Sequence, residues 1–122
     1  MHVFHPPQSV NGLPPENTFY VADSANMTVA DGFLIPTYHP YLFPDRPINL
    51  FMSIRSKGPG RDMLMGALLA RAQQLREQTP QWPARLFAQV SPQDTPMMAF
   101  YMESGFDAND ALDVVALGVP NA

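Results

Sequence analysis

The chain has 122 residues, of which 46% are hydrophobic and 15% charged, with a formal charge of -4 at pH 7; this composition predicts one globular domain and excludes a disordered chain. The absence of cysteine excludes disulfides, thiol nucleophiles and thiolate metal sites, and the acidic balance argues against nucleic acid as the main partner. No apolar run approaches the roughly 18 residues of a membrane span, and the first residues lack the pattern of a secretory signal, so we predict a cytoplasmic protein with no membrane partner.

The first half of the chain predicts strands. Several prolines make residues 1–16 an extended or irregular arm. Residues that favour β-structure predict strands at Thr18–Asp23 and Met27–Ile35. The second contains the pair Asp31-Gly32, so a turn or a bulge at that pair is the alternative. Residues 36–47 (PTYHPYLFPDRP) predict a proline- and aromatic-rich loop. A third strand, Ile48–Ile54, is apolar enough to be central in a sheet.

The second half predicts two helices between strands. Apolar residues at three- and four-residue spacing indicate a long amphipathic helix over Met63–Gln78, which a Thr-Pro pair ends. Residues Ala84–Ser91 alternate as a strand. Thr95 is the predicted N-cap of a short helix that has proline at its first position and Gly105 at its end. Leu112–Leu117 is the last strand, and the order β-β-β-α-β-α-β predicts an α/β or α+β sheet with helices packed on it.

The stretch Arg55–Arg61 lies between the central strand and the long helix. It holds three of the seven basic residues of a chain that is acidic overall. A glycine turn that opens a helix exposes backbone N–H groups, and the helix dipole adds partial positive charge there. The stretch therefore predicts an anion site, with a phosphate or pyrophosphate as its ligand. Taken alone, its Gly-Pro-Gly sequence is more typical of an ordinary turn.

Two motifs at a fixed separation resemble a known family. A strand, then Arg55-x-x-Gly58-x-Gly60, then a long helix resembles the acyl-CoA-binding signature Q/R-x-x-G-x-G/A of the GNAT superfamily of N-acetyltransferases. The next strand, Ala84–Ser91, is followed by a helix that carries Tyr101 and, after three intervening residues, by Gly105-Phe106. This second part resembles the second half of that fold. The resemblance covers residues 17–118 of a single domain. It implies a GNAT-like mixed, mostly antiparallel central sheet with two main helices and without the usual first helices.

The resemblance implies an acyl-CoA-dependent N-acyltransferase. Acetyl-CoA is the expected co-substrate, and the acceptor is the primary amine of a small molecule or peptide, which attacks the thioester directly. Tyr101 matches the tyrosine that protonates the departing thiolate. A backbone N–H near Gln89 to Ser91 is expected to stabilise the oxyanion. The residues implied in binding acetyl-CoA are Arg55, Ser56, Lys57, Gly58, Pro59, Gly60, Arg61, Gln89, Val90 and Asp94.

The chain departs from the family pattern in four places. Pro59 has no N–H to donate to a pyrophosphate. Asp94 replaces the usual asparagine, and Asp62 lies in the first turn of the phosphate-binding helix, where its carboxylate competes with a phosphate. The missing first helices leave the acceptor side open, or closed by a second chain or by the loop at residues 36–47. We expect a homodimer for this reason.

Several alternatives stay open. The domain can be a catalytically inactive relative that binds CoA or a protein partner, and Tyr101 can be a buried aromatic residue. His39 is the best general-base candidate by residue type, with Asp45 and Glu103 as further candidates. The three histidines of the chain do not have the spacing of a metal site, so no metal is expected.

Overall fold

The computed structural model describes residues 1–39, 47–79, 81–108 and 113–119. Within them the chain forms one seven-stranded sheet and two α-helices. The strands are β1 (His2–Phe4), β2 (Thr18–Ala22), β3 (Thr28–Tyr38), β4 (Ile48–Ser56), β5 (Ala84–Gln89), β6 (Asp107–Ala108) and β7 (Val114–Gly118). Helix α1 (Arg61–Glu77) connects β4 to β5, and helix α2 (Thr95–Glu103) follows β5.

The sheet is mixed and mostly antiparallel. Its strand order is β1-β2-β3-β4-β5-β7-β6. Among the described strands β4 and β5 pair in parallel, and the other neighbouring pairs are antiparallel. A parallel pair needs a crossover longer than a hairpin, and α1 supplies it. The predicted fold class, a mostly antiparallel sheet with two main helices, is confirmed.

Strand β3 runs without a turn through its Asp-Gly pair. Asp31 pairs with Tyr20 of β2 and with Arg55 of β4, so both neighbouring ladders continue across it. The irregular step in this part of the sheet falls between Val21 and Ala22 instead. The predicted alternative of a turn or bulge at the Asp-Gly pair is therefore wrong.

The loop was predicted to start at residue 36, but the strand continues past this residue. The last residues of β3, among them Pro36, pair with β4. The His39 N–H donates to the Pro47 carbonyl at 2.8 Å. Alternation along an antiparallel ladder therefore turns the nitrogen of Pro36 away from β4. Strand β2 pairs with β3 only as far as Phe33, so the missing N–H costs no ladder hydrogen bond. The rest of the predicted loop, residues 40–46, lies outside the described residues.

Two short strands were not predicted. Strand β1 lies in the arm predicted to be extended or irregular, and it pairs with β2; the prediction did not include this pairing. An edge strand of this length takes its conformation from its partner, which no local pattern reveals. Strand β6 has two residues and pairs with β7. The other strands and both helices occur where predicted, with described ends that shift by one to three residues; the predicted start of the last strand, Leu112, lies outside the described residues.

Both helices bury their apolar residues against one face of the sheet. The apolar stripe of α1 is buried there through Leu64, Leu68, Ala72 and Leu75, and Tyr101 of α2 belongs to the same core cluster. Burying one leucine side chain contributes roughly 1.5–3 kcal/mol. This stripe therefore fixes α1, and with it the turn that precedes α1, against the sheet.

The opposite face of the sheet carries apolar side chains that no described helix covers. Strands β3, β4 and β5 place Phe33, Ile35, Phe51 and Phe87 there, because side chains alternate along a strand and these positions lie between the buried ones. The Phe51 side chain is 45% exposed. We call this surface the open face.

Gly60, the residue before α1, packs closely against β2 on the covered face of the sheet. A Cβ atom at this position would lie 2.9 Å from Cγ1 of Val21, and the residue has φ +78, a left-handed conformation that favours glycine. We expect Gly60→Ala to lower the free energy of unfolding by about 2 kcal/mol through backbone strain and overlap. Chemical denaturation measures this loss.

Gly66 provides the matched control. It lies on the exposed side of α1, and an added Cβ would meet no atom within 4 Å. Because alanine is the better helix former, Gly66→Ala is expected to raise the free energy of unfolding by about 0.5–1 kcal/mol. Equal losses in the two variants would contradict the close packing of Gly60.

Candidate functional site

The turn between β4 and α1 is closed by the side chain of Ser56. Its Oγ accepts a hydrogen bond from the Gly58 N–H at 3.0 Å and donates one to the Pro59 carbonyl at 2.7 Å. Gly58 has φ +131, so glycine is needed there as well as at the helix start. The Gly58 amide therefore points into the turn, and Ser56 acts as a brace of the turn.

The N-terminus of α1 presents uncapped amides. No side chain caps the helix at Gly60, and the first bond along it runs from the Leu64 N–H to the Gly60 carbonyl at 3.0 Å. The N–H groups of Arg61, Asp62 and Met63 lie in the first turn and have no intrahelical acceptor. Together with the helix dipole they form an anion-binding arrangement.

The three basic residues of this stretch have different surroundings. Arg55 lies on the open face and forms a bidentate pair with Asp31, with N–O distances of 2.8 and 3.1 Å; hydrogen bonding to this carboxylate raises the pKa of the Arg55 guanidinium. Lys57 is exposed. Arg61 donates to the Ser56 carbonyl at 3.3 Å and lies 5.6 Å from the ring centre of Phe100.

Arg61 also carries a polar atom that lacks a partner. Its Nε is buried and has no hydrogen-bond acceptor among the residues that the structure describes. An unpaired donor of a cation is costly to bury unless a ligand satisfies it. Arg61 and Lys57 are therefore the cations available beside the uncapped end of α1, whereas Arg55 is already paired.

Strands β4 and β5 separate next to this turn. Their parallel ladder extends from the pair Ile48–Ala84 to the pair Met52–Ala88 and stops there. Beyond Met52, β4 continues along β3 to its last residue. We call the space between the two strands beyond this last pair the gap.

Backbone groups of β5 face the gap. The Val119 N–H donates to the Ala84 carbonyl at 2.9 Å, and the Val90 N–H donates to the Asp113 carbonyl at 2.8 Å. Even-numbered residues of this strand thus direct their backbone groups away from β4, and alternation turns those of Gln89 toward it. The last ladder pair, Met52–Ala88, uses the Gln89 N–H, so the Gln89 carbonyl is the group that faces the gap. The amide of Val90, which the sequence placed in the site, is bonded to Asp113.

A cavity of about 1310 Å³ opens on the open face beside the gap. Met52, Ser53, Ala88 and Gln89 line it where the strands separate. Its other described lining residues are Phe33, Thr37, His39, Asn49, Phe51, Phe87, Ser91, Pro92, Asp113 and Val114. The histidine that the sequence proposed as a base is among them. The gap therefore opens onto a space large enough for a small molecule.

Asp113 is a residue of this cavity that sequence reasoning missed. Its Oδ2 accepts a hydrogen bond from the Gln89 side-chain amide at 2.9 Å, and its carbonyl accepts from Val90. The sequence placed Asp113 inside the last strand, but β7 begins one residue later. A carboxylate directly before a strand was the only local signal.

Helix α2, which carries Tyr101, has a capping interaction at each end. Asp94, not the predicted Thr95, is the N-cap, and its carboxylate accepts from the Met97 N–H at 3.2 Å; the N-cap prediction is one residue off. At the other end Gly105 has φ +100, and its N–H donates to the Met102 carbonyl at 3.0 Å. The glycine end of the helix is confirmed.

The Tyr101 side chain is buried and 2% exposed. Its ring packs edge-on against Phe106 with 5.1 Å between the ring centres. Burial raises the pKa of Tyr101 to about 12, an effect that the nearby Arg61 charge partly opposes. The phenol therefore keeps its proton throughout the neutral range, which a hydrogen-bond donor to a leaving thiolate requires.

Other kinds of site are not seen in the described part of the chain. No group of three histidine or carboxylate side chains that can hold a metal ion occurs there. Among the described helices none is long and apolar enough to cross a membrane.

By sequence, the chain matches no protein-family profile and no curated protein. A solved structure similar to it is a GNAT superfamily phosphinothricin acetyltransferase from Sinorhizobium meliloti in complex with acetyl-CoA, with a TM-score of 0.62 at 14% identity, over 84% of this chain and 60% of that one. A mutant AtaT toxin bound to acetyl-CoA and to the C-terminus of the antitoxin AtaR gives a TM-score of 0.58 at 10% identity, over 84% and 67%. The KacTA–DNA complex gives 0.52 at 13% identity, over 84% and 67%.

The fold is therefore that of the GNAT superfamily acetyltransferases, as the two sequence motifs predicted. The chain spans 60% of the length of the phosphinothricin acetyltransferase that it resembles. At identities of 10 to 14%, the likeness establishes the arrangement of strands and helices.

The raised pKa of Tyr101 predicts a loss of stability in alkali. The unfolded phenol ionises near pH 10, whereas the folded one does so near 12. The contribution of the neutral phenol to the free energy of unfolding is therefore fully present below pH 10 and is lost between pH 10 and 12. The loss is up to about 3 kcal/mol, at roughly 1.4 kcal/mol per pKa unit. Denaturation of the wild type and of Tyr101→Phe across this range measures the difference. Parallel curves for the two proteins would show that the phenol is not buried as described.

Proposed function

We propose that the protein is an acyl-CoA-dependent N-acetyltransferase that moves an acetyl group from acetyl-CoA to a primary amine. The observation that carries the proposal is the end of the β4–β5 ladder at Met52–Ala88, on the strand whose far end turns into the uncapped N-terminus of α1. One end of this arrangement suits a diphosphate and the other opens into a cavity. The similar solved structures that hold acetyl-CoA support the same reading.

In this proposal the CoA pyrophosphate lies on the first-turn amides of α1. Lys57 and the unpaired Nε of Arg61 supply positive charge there, and a hydrogen bond to a charged group contributes about 1.5–3 kcal/mol. Pro59 offers no N–H, and the Gly58 amide is used by Ser56. The site thus relies on the helix end and two cations more than on the turn itself.

The acetyl group is proposed to reach the cavity through the gap. The amine nitrogen attacks the thioester carbonyl carbon, the C–S bond breaks, and the thiolate accepts a proton. Within Gln89 to Ser91, the Ser91 N–H is the proposed donor to the oxyanion, since the ladder uses the Gln89 N–H and Asp113 accepts from the Val90 N–H. Tyr101 is the proposed donor to the sulfur, and His39, which lines the cavity, is the proposed base that takes the proton of the amine.

A second candidate function is a domain that binds CoA without turnover. Two contacts favour it: the Val90 amide is bonded to Asp113, and the Tyr101 side chain is buried against Phe106. Retained acetyl-CoA binding with no acetylation of any amine in a broad panel would support this candidate. Turnover that Tyr101→Phe reduces at least tenfold, with binding unchanged, would support the enzyme.

The proposal extends to the setting of the protein. We propose a small-molecule or peptide amine as the acceptor, a cytoplasmic location and a homodimer. The uncovered apolar side chains of the open face outside the cavity, such as Ile35 at 38% exposure, are the reason for the homodimer. Light scattering of the purified chain measures its mass in solution, and a monomeric mass at tens of micromolar would contradict this part.

Acetyl-CoA binding can be tested by isothermal titration calorimetry. Lys57→Ala and Arg61→Ala are each expected to weaken binding about tenfold or more, because each removes a cation beside the diphosphate. Arg85→Ala removes the same charge from the open face, where Arg85 lies over the Phe87 ring, and is expected to change acetyl-CoA binding less than twofold. Thermal melts confirm that each variant is folded.

The outcome that contradicts the proposed function is a lack of saturable acetyl-CoA binding by the folded wild type at millimolar ligand. Equal weakening by all three variants would instead point to non-specific charge attraction.

A further inference from the structure

The floor of the cavity on the open face is aromatic. The rings of Phe51 and Phe87 stack with 5.7 Å between their centres and 28° between their planes, and Phe33 lines the same cavity. Aromatic faces bind apolar groups and also attract cations through the negative charge of the ring face. The floor therefore suits the apolar or aromatic body of a small molecule.

The charge of the cavity is one-sided. Among its described lining residues, Asp113 is the sole carboxylate, and neither lysine nor arginine occurs. Gln89 occupies one oxygen of this carboxylate at 2.9 Å, and an ionised carboxylate has further acceptor positions. Asp113 thus offers negative charge beside the gap.

The nearest described cation on the same strand lies at the other end of the floor. Arg85 sits 5.8 Å from the Phe87 ring centre, and it precedes Gln89 by four residues, or roughly 13 Å along an extended strand. A ligand with its amine at Asp113 therefore has its positive end at the gap. An acidic group attached next to that amine would face Asp113 and be far from Arg85, and the guanidinium of Arg55, which also lies on the open face, is already paired with Asp31.

From this arrangement we propose the acceptor class: an apolar primary amine, such as an arylalkylamine, whose ammonium group is its only charge. Its ammonium binds Asp113 and its body lies on the Phe51–Phe87 floor. This inference rests on the proposed acetyltransferase function. The bound ammonium first gives up one proton, and the neutral nitrogen bonds to the acetyl carbon. The C–S bond then breaks, the nitrogen loses a second proton and the thiolate gains one, which yields an N-acetylamine and CoA.

Two amines that differ only in a carboxylate test the class. At saturating acetyl-CoA, kcat/KM for 2-phenylethylamine is expected to exceed that for phenylalanine at least tenfold, since the added carboxylate meets Asp113. Acetylation of phenylalanine or spermidine as fast as that of 2-phenylethylamine would overturn the inference while the acetyltransferase function stands.

Asp113→Asn tests the proposed anchor. The variant keeps the carbonyl that accepts from Val90 and a side-chain oxygen for Gln89, so it is expected to fold. The variant should lower kcat/KM for 2-phenylethylamine about ten- to hundredfold, mostly by raising KM. It should also reduce the ratio of kcat/KM for 2-phenylethylamine to that for phenylalanine. Glu77→Gln is the control, because it removes the same charge from an exposed position at the end of α1. Equal KM values in wild type and Asp113→Asn would overturn the role of this carboxylate.

Direct binding separates the failure of this inference from the failure of the proposed function. Calorimetry with 2-phenylethylamine alone, without acetyl-CoA, reports on the cavity. If acetyl-CoA does not bind, saturable binding of this amine that Asp113→Asn weakens at least tenfold still supports the amine site. Phe51→Ala, at an exposed position, should weaken the binding of 2-phenylethylamine more than the binding of propylamine. Absence of amine binding to the folded wild type would overturn the inference.

Discussion

The structure depends on where the hydrogen bonds between β4 and β5 end. Strand β5 ends at Gln89, one residue after the last pair, Met52–Ala88, while β4 runs on for four more residues. Strand β4 can do so because β3 satisfies it on its other side as far as Ser56. The backbone beyond the last pair is thus left for a ligand, and the turn into α1 lies at the end of the same strand.

The two faces of the sheet carry different parts of the candidate site. On the covered face, the buried leucines of α1 hold the turn, and Gly60 packs against Val21, so the proposed anion site is formed before any ligand arrives. On the open face, aromatic side chains and Asp113 border the cavity. The gap joins the two, which is why a diphosphate on one side and an amine on the other is the chemistry that this arrangement suits.

Local patterns in the sequence predicted the central strands, both helices and the glycine that ends α2, since these depend on neighbours in the chain. They did not predict β1 or the passage of β3 through Pro36, because both depend on which strand lies alongside. The same holds for the site. The motif located the turn and Tyr101, but the pairing of Arg55 with Asp31 and of Gln89 with Asp113 joins residues 24 positions apart, which no spacing rule reveals.

Side-chain packing also holds the two groups of strands that meet at the β4–β5 ladder. Strands β1 to β4, with α1 packed on them, and strands β5 to β7 share five residue pairs in the described chain. Buried side chains of both groups belong to one core cluster, and Arg76 of α1 donates to the Val119 carbonyl at 3.2 Å. The width of the gap is therefore set from beneath, by the packing of the core, as well as by the backbone on either side of it.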